Sequence, residues 1–517
     1  MKRQSLFKGT LILGMAGVFA RFIGIFFRIP LTILVGDEGI GYYQMAYPMY
    51  MFYIALSSGI PLAMSKIISE RIADNDEVGT LRVFKEALLL MFLIGIGTSS
   101  FMIIFSKNLI NIFKWDIKAY YSLIALGIAP IFISIMGVFR GFFQGLQNMT
   151  PTAISQILEQ IGRVVIGIGL AILLLPKGVE YAAGGATLGA AAGGILGTMF
   201  LFSKYIKIRK EFKVKKVGYD PKVMNTLLKL AIPISLGGAV GTIMNLIDSI
   251  IVPQKLLKAG YSLKSATVLY GQLTGKASVL SNVPLTLSVA LCASLIPIIS
   301  AAYSRGDFKK VKYNITNALK LSVLIALPAM CGLYILSKPI MVLIFRGQAG
   351  GHDILKYASL AIPFIILTQS TTVILQATTS KIMPIINLLI GCVVKIILAS
   401  ILIPRPEINI FGAVISTMVA YFTSFSLNMF LIRRKLNIKI NFYEILIKPA
   451  YAAILMSVMV VFTYTKLYNL TMSNSSACVL AVFTGIIVYG LFILIFGVFD
   501  YSKAKKRLGK KLCKKTS

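Results

Sequence analysis

Long apolar runs alternate with short polar or basic segments from one end of this chain to the other. Most runs reach the ~18–20 residues that a helix rising about 1.5 Å per residue needs to cross roughly 30 Å of hydrocarbon. The pattern predicts an all-α polytopic membrane protein with fourteen transmembrane helices. They are expected over 9–35, 41–69, 83–106, 119–144, 151–175, 182–203, 226–252, 266–302, 314–337, 356–378, 383–403, 410–432, 447–467 and 476–498. The run 266–302 is too long for one straight crossing, and Pro284 and Pro297 predict a bend in it or an extension into the cytoplasm. The first run carries an arginine and has no small-residue cleavage site, so it reads as a membrane helix and not as a signal peptide.

Charged residues inside the spans are costly and therefore informative. Arg21 and Arg28 lie within "GTLILGMAGVFARFIGIFFRIPLTILVG". Seven residues is close to two helical turns, so both guanidiniums project from one face, about 10 Å apart along the axis. A cation at that depth costs at least ~2.5–3.5 kcal/mol and rarely faces lipid, so an anionic or wet neighbour is expected. The fifth span carries Gln156, Glu159, Gln160 and Arg163 at i, i+3, i+4 and i+7, one polar stripe on an otherwise apolar helix. Glu159 and Arg163 either neutralise each other or line a functional surface; the spacing fits both. The fourth span ends in Arg140, Gln144 and Gln147, and Arg140 is expected to snorkel to the interface. Further on are Asn245 and Asp248 in the seventh span, Lys276 in the eighth and Lys395 in the eleventh, with Lys320 near a helix end.

Composition agrees with the pattern. The chain is 57% hydrophobic and 14% charged, against about 25% charged in soluble proteins. Its net charge of +35 resides mainly in loops. With the N-terminus inside, 34 of the 53 Lys and Arg fall on cytoplasmic segments, 12 on external loops and 7 within spans. "KYIKIRKEFKVKK" and the tail "KAKKRLGKKLCKK" are both cytoplasmic in this arrangement, which places both termini inside. These segments are expected to meet anionic membrane lipids, and no nucleic-acid partner is expected. The five cysteines lack paired spacing, so neither a disulfide framework nor a metal site is expected. "GQLTGKA" at 271–277 is one residue short of a phosphate loop and no cofactor is expected. The only tryptophan, Trp115, is expected at the outer interface, and the only histidine, His352, in a solvated external loop.

Counting the interior fixes the sign of the partner. Seven cations (Arg21, Arg28, Arg140, Arg163, Lys276, Lys320, Lys395) face two deep acids, Glu159 and Asp248, while Asp37, Glu38 and Glu70 lie at helix ends. Such an excess repels cations and attracts phosphates, which the planar fork of arginine binds with two parallel hydrogen bonds.

The chain also repeats. "SSGIPLAMSKIISERIADND" (57–76) is echoed by "CASLIPIISAAYSRGD" (292–307), and "FFQGLQNMTPTAISQILEQIGRVV" (142–165) by "VILQATTSKIMPIINLLIGCVVKI" (373–396). Spans one to six and seven to twelve therefore read as two copies of a unit. Six is even, so the copies share one orientation and are related by an axis along the membrane normal. The expected organisation is an N-lobe over 1–225, a C-lobe over 226–440, and two further helices with a basic tail over 441–517.

"ARFIGIFFR" in the first span and "FRGFFQGLQNMTPTAISQ" across the fourth and fifth resemble the polysaccharide-transporter branch of the multidrug/oligosaccharidyl-lipid/polysaccharide exporter superfamily. Within it the chain is most similar to the stage V sporulation protein B family, related to the MurJ-type lipid II flippases. The resemblance implies a V-shaped pair of lobes around a cationic cavity, with the last two helices forming a groove for a lipid tail. Arg21 to Gly24 matches the "R-x-x-G" of functionally important helix-1 arginines, and Arg28 lies one residue from the second of them. The helix-2 arginines of MurJ-type members have no counterpart in "YPMYMFYIALSSGIP".

The function implied is a flippase of the cell membrane of a Gram-positive bacterium, not an enzyme, and a monomer. It would move an undecaprenyl-diphosphate-linked saccharide, lipid II or a related peptidoglycan precursor, including one for the spore cortex, to the outer leaflet by alternating access. Arg21, Arg28 and Lys276 would hold the diphosphate, with Arg163, Glu159, Gln156, Gln144, Asn245, Asp248 and Lys395 completing the site. The alternatives are a cation-coupled multidrug exporter of the same fold and a membrane scaffold for envelope synthesis.

Overall fold

A computed structural model describes residue 4 and residues 6–214, 217–380, 382–437, 441 and 443–498, with the side chains of 6–8, 10, 21, 25, 240 and 293 excepted. The basic tail from 499 onward, with its expected lipid contacts, lies outside the described residues. All the regular structure described is helical: α1 (Leu6–Ser57), α2 (Gly59–Ala73), α3 (Glu77–Ile104), α4 (Ser106–Phe113), α5 (Ala119–Gly127), α6 (Ala129–Gly145), α7 (Thr150–Leu174) and α8 (Val179–Arg209) come first. They are followed by α9 (Pro221–Lys258), α10 (Leu263–Gly271), a π-helical turn (Gln272–Ala277), α11 (Ser278–Ser304), α12 (Phe308–Ile335), α13 (Ser337–Ile344) and α14 (His352–Ala358). The last are α15 (Ile362–Ala377), α16 (Met383–Leu402), α17 (Phe411–Leu436), α18 (Lys448–Thr471) and α19 (Asn474–Ile495). Among the described residues twelve helical stretches are long and apolar enough to cross a membrane, or thirteen counting α9, which bends by 53° between Ala239 and Gly241.

Where the helices break has local causes. Gly36 interrupts α1 with φ 68° and ψ −174°, a conformation that a residue with a Cβ rarely adopts. The two halves of α1 fold back on each other there, because the Phe27 and Tyr43 rings stand 6.2 Å apart. An unbroken helix would hold those residues about 24 Å apart. The long run around residue 280 is irregular at its π-helical turn, while Pro284 and Pro297 sit inside α11. Asp76, Asp220 and Asp307 cap α3, α9 and α12 by accepting backbone N–H bonds, which supplies the start signals that the apolar pattern blurs.

The chain divides into two compact units: residues up to Val279 together with Ile396–Ala413, and Leu280–Lys395 together with the chain from Val414. In the first unit, Phe84, Phe139, Phe142 and Tyr205 form an aromatic core between α3, α6 and α8. Trp115, expected at an interface, is only 3% exposed, and its Nε1 donates to the Ser249 carbonyl at 2.7 Å. In the second unit, α12, α15, α17, α18 and α19 share an apolar core that includes Ile315, Leu319, Ile374, Met429, Val460 and Ile493. Beside it, Asn387 and Asn428 bond at 2.8 Å, and Asn428 reaches Thr371 at 3.2 Å.

The glycines of "AAGGATLGAAAGGILG" bring α8 against α7, backbone to backbone. A Cβ added at Gly193 would collide with the Glu159 carbonyl oxygen, and one at Gly189 would stand 2.6 Å from that of Arg163. This contact sets the rotation of α7 and so the direction of its polar stripe. Gly193→Leu should therefore lower stability by about 3 kcal/mol, read as a fall in the thermal unfolding midpoint of the purified protein. Gly14→Leu, in open space, should leave that midpoint unchanged.

Candidate functional site

In the folded-back α1, Arg28 and the tyrosines of "GYYQMAYPMY" come from opposite sides of the Gly36 break. The Arg28 guanidinium lies 5.3 Å above the Tyr47 ring. Tyr43, Tyr47 and Tyr50 follow at i, i+4 and i+7, with Tyr43 stacked on Tyr47 at a centroid distance of 5.2 Å. Arg28 is half-buried, and among the described residues it has no acidic partner. The face of Tyr47 substitutes for one, since the ring quadrupole attracts a cation. Arg21 lies one stretch earlier on α1, and its side chain is outside the described residues.

Helix α7 presents its polar stripe to this part of α1. Gln160 Oε1 lies 3.7 Å from the point where Gly24 would carry a Cβ, so the stripe faces the stretch between the two helix-1 arginines. Arg163 is 8% exposed and donates from Nη1 to Tyr47 Oη at 3.1 Å and from Nη2 to Tyr50 Oη at 3.3 Å. Its Nη2 also meets Glu159 Oε1 at 3.3 Å. The second oxygen of Glu159 is held by Arg140 Nη2 at 3.0 Å, and Arg140 Nε donates to Ser155 Oγ at 2.9 Å. Arg140 therefore does not snorkel, as the sequence suggested; it reaches across to α7 and shares the Glu159 carboxylate. Two guanidiniums, Arg140 and Arg163, thus share the Glu159 carboxylate, and Arg28 joins them through Tyr47, whose ring it covers and whose hydroxyl Arg163 holds; three cations and one carboxylate leave a surplus of about two positive charges.

Lys276 is placed differently. It lies in the π-helical turn, fully buried, with Nζ 2.5 Å from Asp37 Oδ1. Gln272 donates to the other Asp37 oxygen at 2.8 Å, and Gln44 donates to the Thr274 carbonyl at 2.8 Å. Glu38 next door pairs with Lys264 at 3.1 Å. Lys276 and Asp37 thus neutralise each other, which removes Lys276 from the interior cation surplus that the sequence implied. The remaining candidates are dispersed. Gln156 keeps a buried Oε1 without a hydrogen bond, and Gln144 is half-buried one turn beyond Arg140. Asn245 is exposed on α9, Asp248 on the same helix acts electrostatically on the buried Tyr270, and Lys395 is buried on α16 in the second unit. Tyr43, Tyr47 and Tyr50 were not expected at the site, although their spacing was a legible signal; Asp37 was expected at a helix end, but its pairing with Lys276 was not.

Residues 6–303 match the profile of the polysaccharide biosynthesis protein family, and 274–401 that of the MatE family. The chain belongs to the polysaccharide biosynthesis protein family. It is 31% identical to stage V sporulation protein B of Bacillus subtilis (strain 168) over 425 residues, covering 80% of this chain and 81% of that one. It is 26% identical to the lipid II flippase MurJ of the same organism over 479 residues, covering 88% and 87%. Among solved structures, a lipid II flippase MurJ in an inward closed conformation aligns with a TM-score of 0.73 at 19% identity, over 94% of this chain and 99% of that one. The fold is that of the multidrug/oligosaccharidyl-lipid/polysaccharide exporter superfamily, and the chain is a multi-span protein of the bacterial cell membrane.

The closed Asp37–Lys276 pair leads to a prediction. Lys276→Ala leaves the half-buried Asp37 without its cation and should cost about 3 kcal/mol, whereas Lys276→Met combined with Asp37→Leu should recover most of that loss. A double-mutant cycle on thermal or denaturant unfolding measures both.

Proposed function

We propose that this protein is a flippase for an undecaprenyl-diphosphate-linked saccharide, lipid II or a related peptidoglycan precursor, moved from the inner to the outer leaflet by alternating access. The observation that carries the reading is an unbalanced cationic group: Arg140 and Arg163 share the single carboxylate of Glu159, and Arg28 of α1 lies on Tyr47, whose hydroxyl Arg163 holds. In an apolar surround this surplus needs an anion from outside the protein, and arginine forks fit phosphate. The names of the relatives, a stage V sporulation protein and a lipid II flippase, support the same substrate class, and the first supports a role in sporulation. A cation-coupled exporter is less well served, because Glu159 is already occupied by two arginines.

In this reading the diphosphate is held by Arg21 and Arg28, with Arg163 beside them. The sugar meets the amides of the α7 stripe, and the polyprenyl tail stays in lipid. Fourteen spans result when the 63-residue stretch Leu11–Ala73 is divided at Gly36 and α9 is counted once, with both termini cytoplasmic. The protein works as a monomer without cofactor or metal, and its basic loops rest on anionic lipid. The two sequence repeats, 1–225 and 226–440, supply the alternating halves. No ATP is needed: one negative charge moved outward across 100 mV, inside negative, gains about 2.3 kcal/mol.

Arg21→Ala with Arg28→Ala should cut lipid II translocation in proteoliposomes by at least about tenfold, the loss of one or two charge-assisted hydrogen-bonded contacts. Translocation at the wild-type rate would refute the diphosphate role.

A further inference from the structure

The α7 cluster holds one contact that looks exchangeable and one that does not. Glu159 Oε2 is 3.0 Å from Arg140, whose Nε is also anchored on Ser155. Glu159 Oε1 is 3.3 Å from Arg163, and it meets that guanidinium at a single nitrogen. Arg163 is nine-tenths buried, yet its Nε makes no hydrogen bond. The Nε–Nη2 edge, the side of a guanidinium that takes an oxyanion through two parallel bonds, is therefore only half engaged. The other edge donates to the hydroxyls of Tyr47 and Tyr50. Tyr47 and Arg28, both half-buried, stand next to it.

We infer that the Nε–Nη2 edge of Arg163 is a phosphate subsite, and that Glu159 is its resident counter-ion, displaced when the substrate's diphosphate arrives. The inference rests on the diphosphate reading above and deepens it. Displacement strands neither partner. Glu159 keeps Arg140, and Arg163 keeps the hydroxyls of Tyr47 and Tyr50, so the exchange gives up one long contact for two shorter ones. Departure of the substrate lets Glu159 return, which favours release. Glu159 is thus a competitor of the substrate and at the same time an aid to turnover.

This assigns an unusual sign to a mutation. Glu159→Gln keeps the shape and removes the competing charge, so it should bind substrate more tightly and turn it over more slowly. The test uses the full-length protein in phosphatidylcholine nanodiscs, titrated with undecaprenyl diphosphate, with lipid II translocation measured in parallel. Glu159→Gln should lower Kd about tenfold, equivalent to one charge-assisted contact no longer contested, and should reduce the translocation rate. Arg163→Lys retains the charge but not the fork and should raise Kd about tenfold. It carries the test alone if Glu159→Gln does not yield folded protein. Unchanged or weaker binding by Glu159→Gln, with normal wild-type binding, overturns the counter-ion role and leaves the proposed function standing. So does an Arg163→Lys protein that binds like the wild type. Absence of binding by the wild type overturns the proposed function and this inference with it. Equal competition by phosphatidylglycerol in the nanodisc overturns the assignment to a diphosphate.

Discussion

Glu159 is one carboxylate shared by two guanidiniums, Arg140 and Arg163, with a third, Arg28, one tyrosine away on Tyr47, and much of the first compact unit is arranged around that imbalance. Burying an ion pair costs several kcal/mol per ion unless geometry and added hydrogen bonds compensate. Here the compensation comes from Ser155 and from the hydroxyls of Tyr47 and Tyr50, with the Tyr47 face serving Arg28. These devices spread the surplus charge without cancelling it. The geometry that allows them depends on two features remote from any charge. The glycine contact between α7 and α8 turns the polar stripe toward α1, and the break at Gly36 folds the tyrosines back beside Arg28.

The same unit holds a contrasting solution. Asp37 and Lys276 meet one to one at 2.5 Å, with Gln272 filling the second oxygen, and Lys276 has no exposed surface. Gly41, Gly271 and Gly275 pack the seam closely around the pair. One cationic group is closed by an internal acid and reads as structure. The other stays short of acid and reads as a place for a ligand. Charge stoichiometry separates them, where burial alone would not.

Much of the fold was legible because the bilayer imposes a length on every apolar run. The helix boundaries follow that length closely, and the gap between the first two expected spans, residues 36–40, contains the break at Gly36. The π-helical turn was not legible, because the Lys276 it carries meets Asp37, 239 positions away, whereas the prolines nearby gave a local signal. The stripe on α7 was readable from spacing, and the i, i+4 contact of Glu159 with Arg163 exists. What spacing could not reveal was the third member: Arg140 comes from a different helix, so its choice of Glu159 over the interface is a tertiary fact. Tyr47 is similar. Its periodicity was visible, but its role appears only when the chain doubles back and Arg28 comes to rest on the ring.

The central claim is that the arginine group on α1, α6 and α7 lacks an anion that a diphosphate lipid supplies. Native mass spectrometry of the protein released gently from its own membrane tests this most directly. The account predicts a co-purifying polyprenyl-diphosphate species on the wild type that disappears from an Arg28→Ala, Arg163→Ala double variant, while ordinary phospholipid adducts remain. The same bound lipids on both proteins, with no diphosphate species on either, would contradict it.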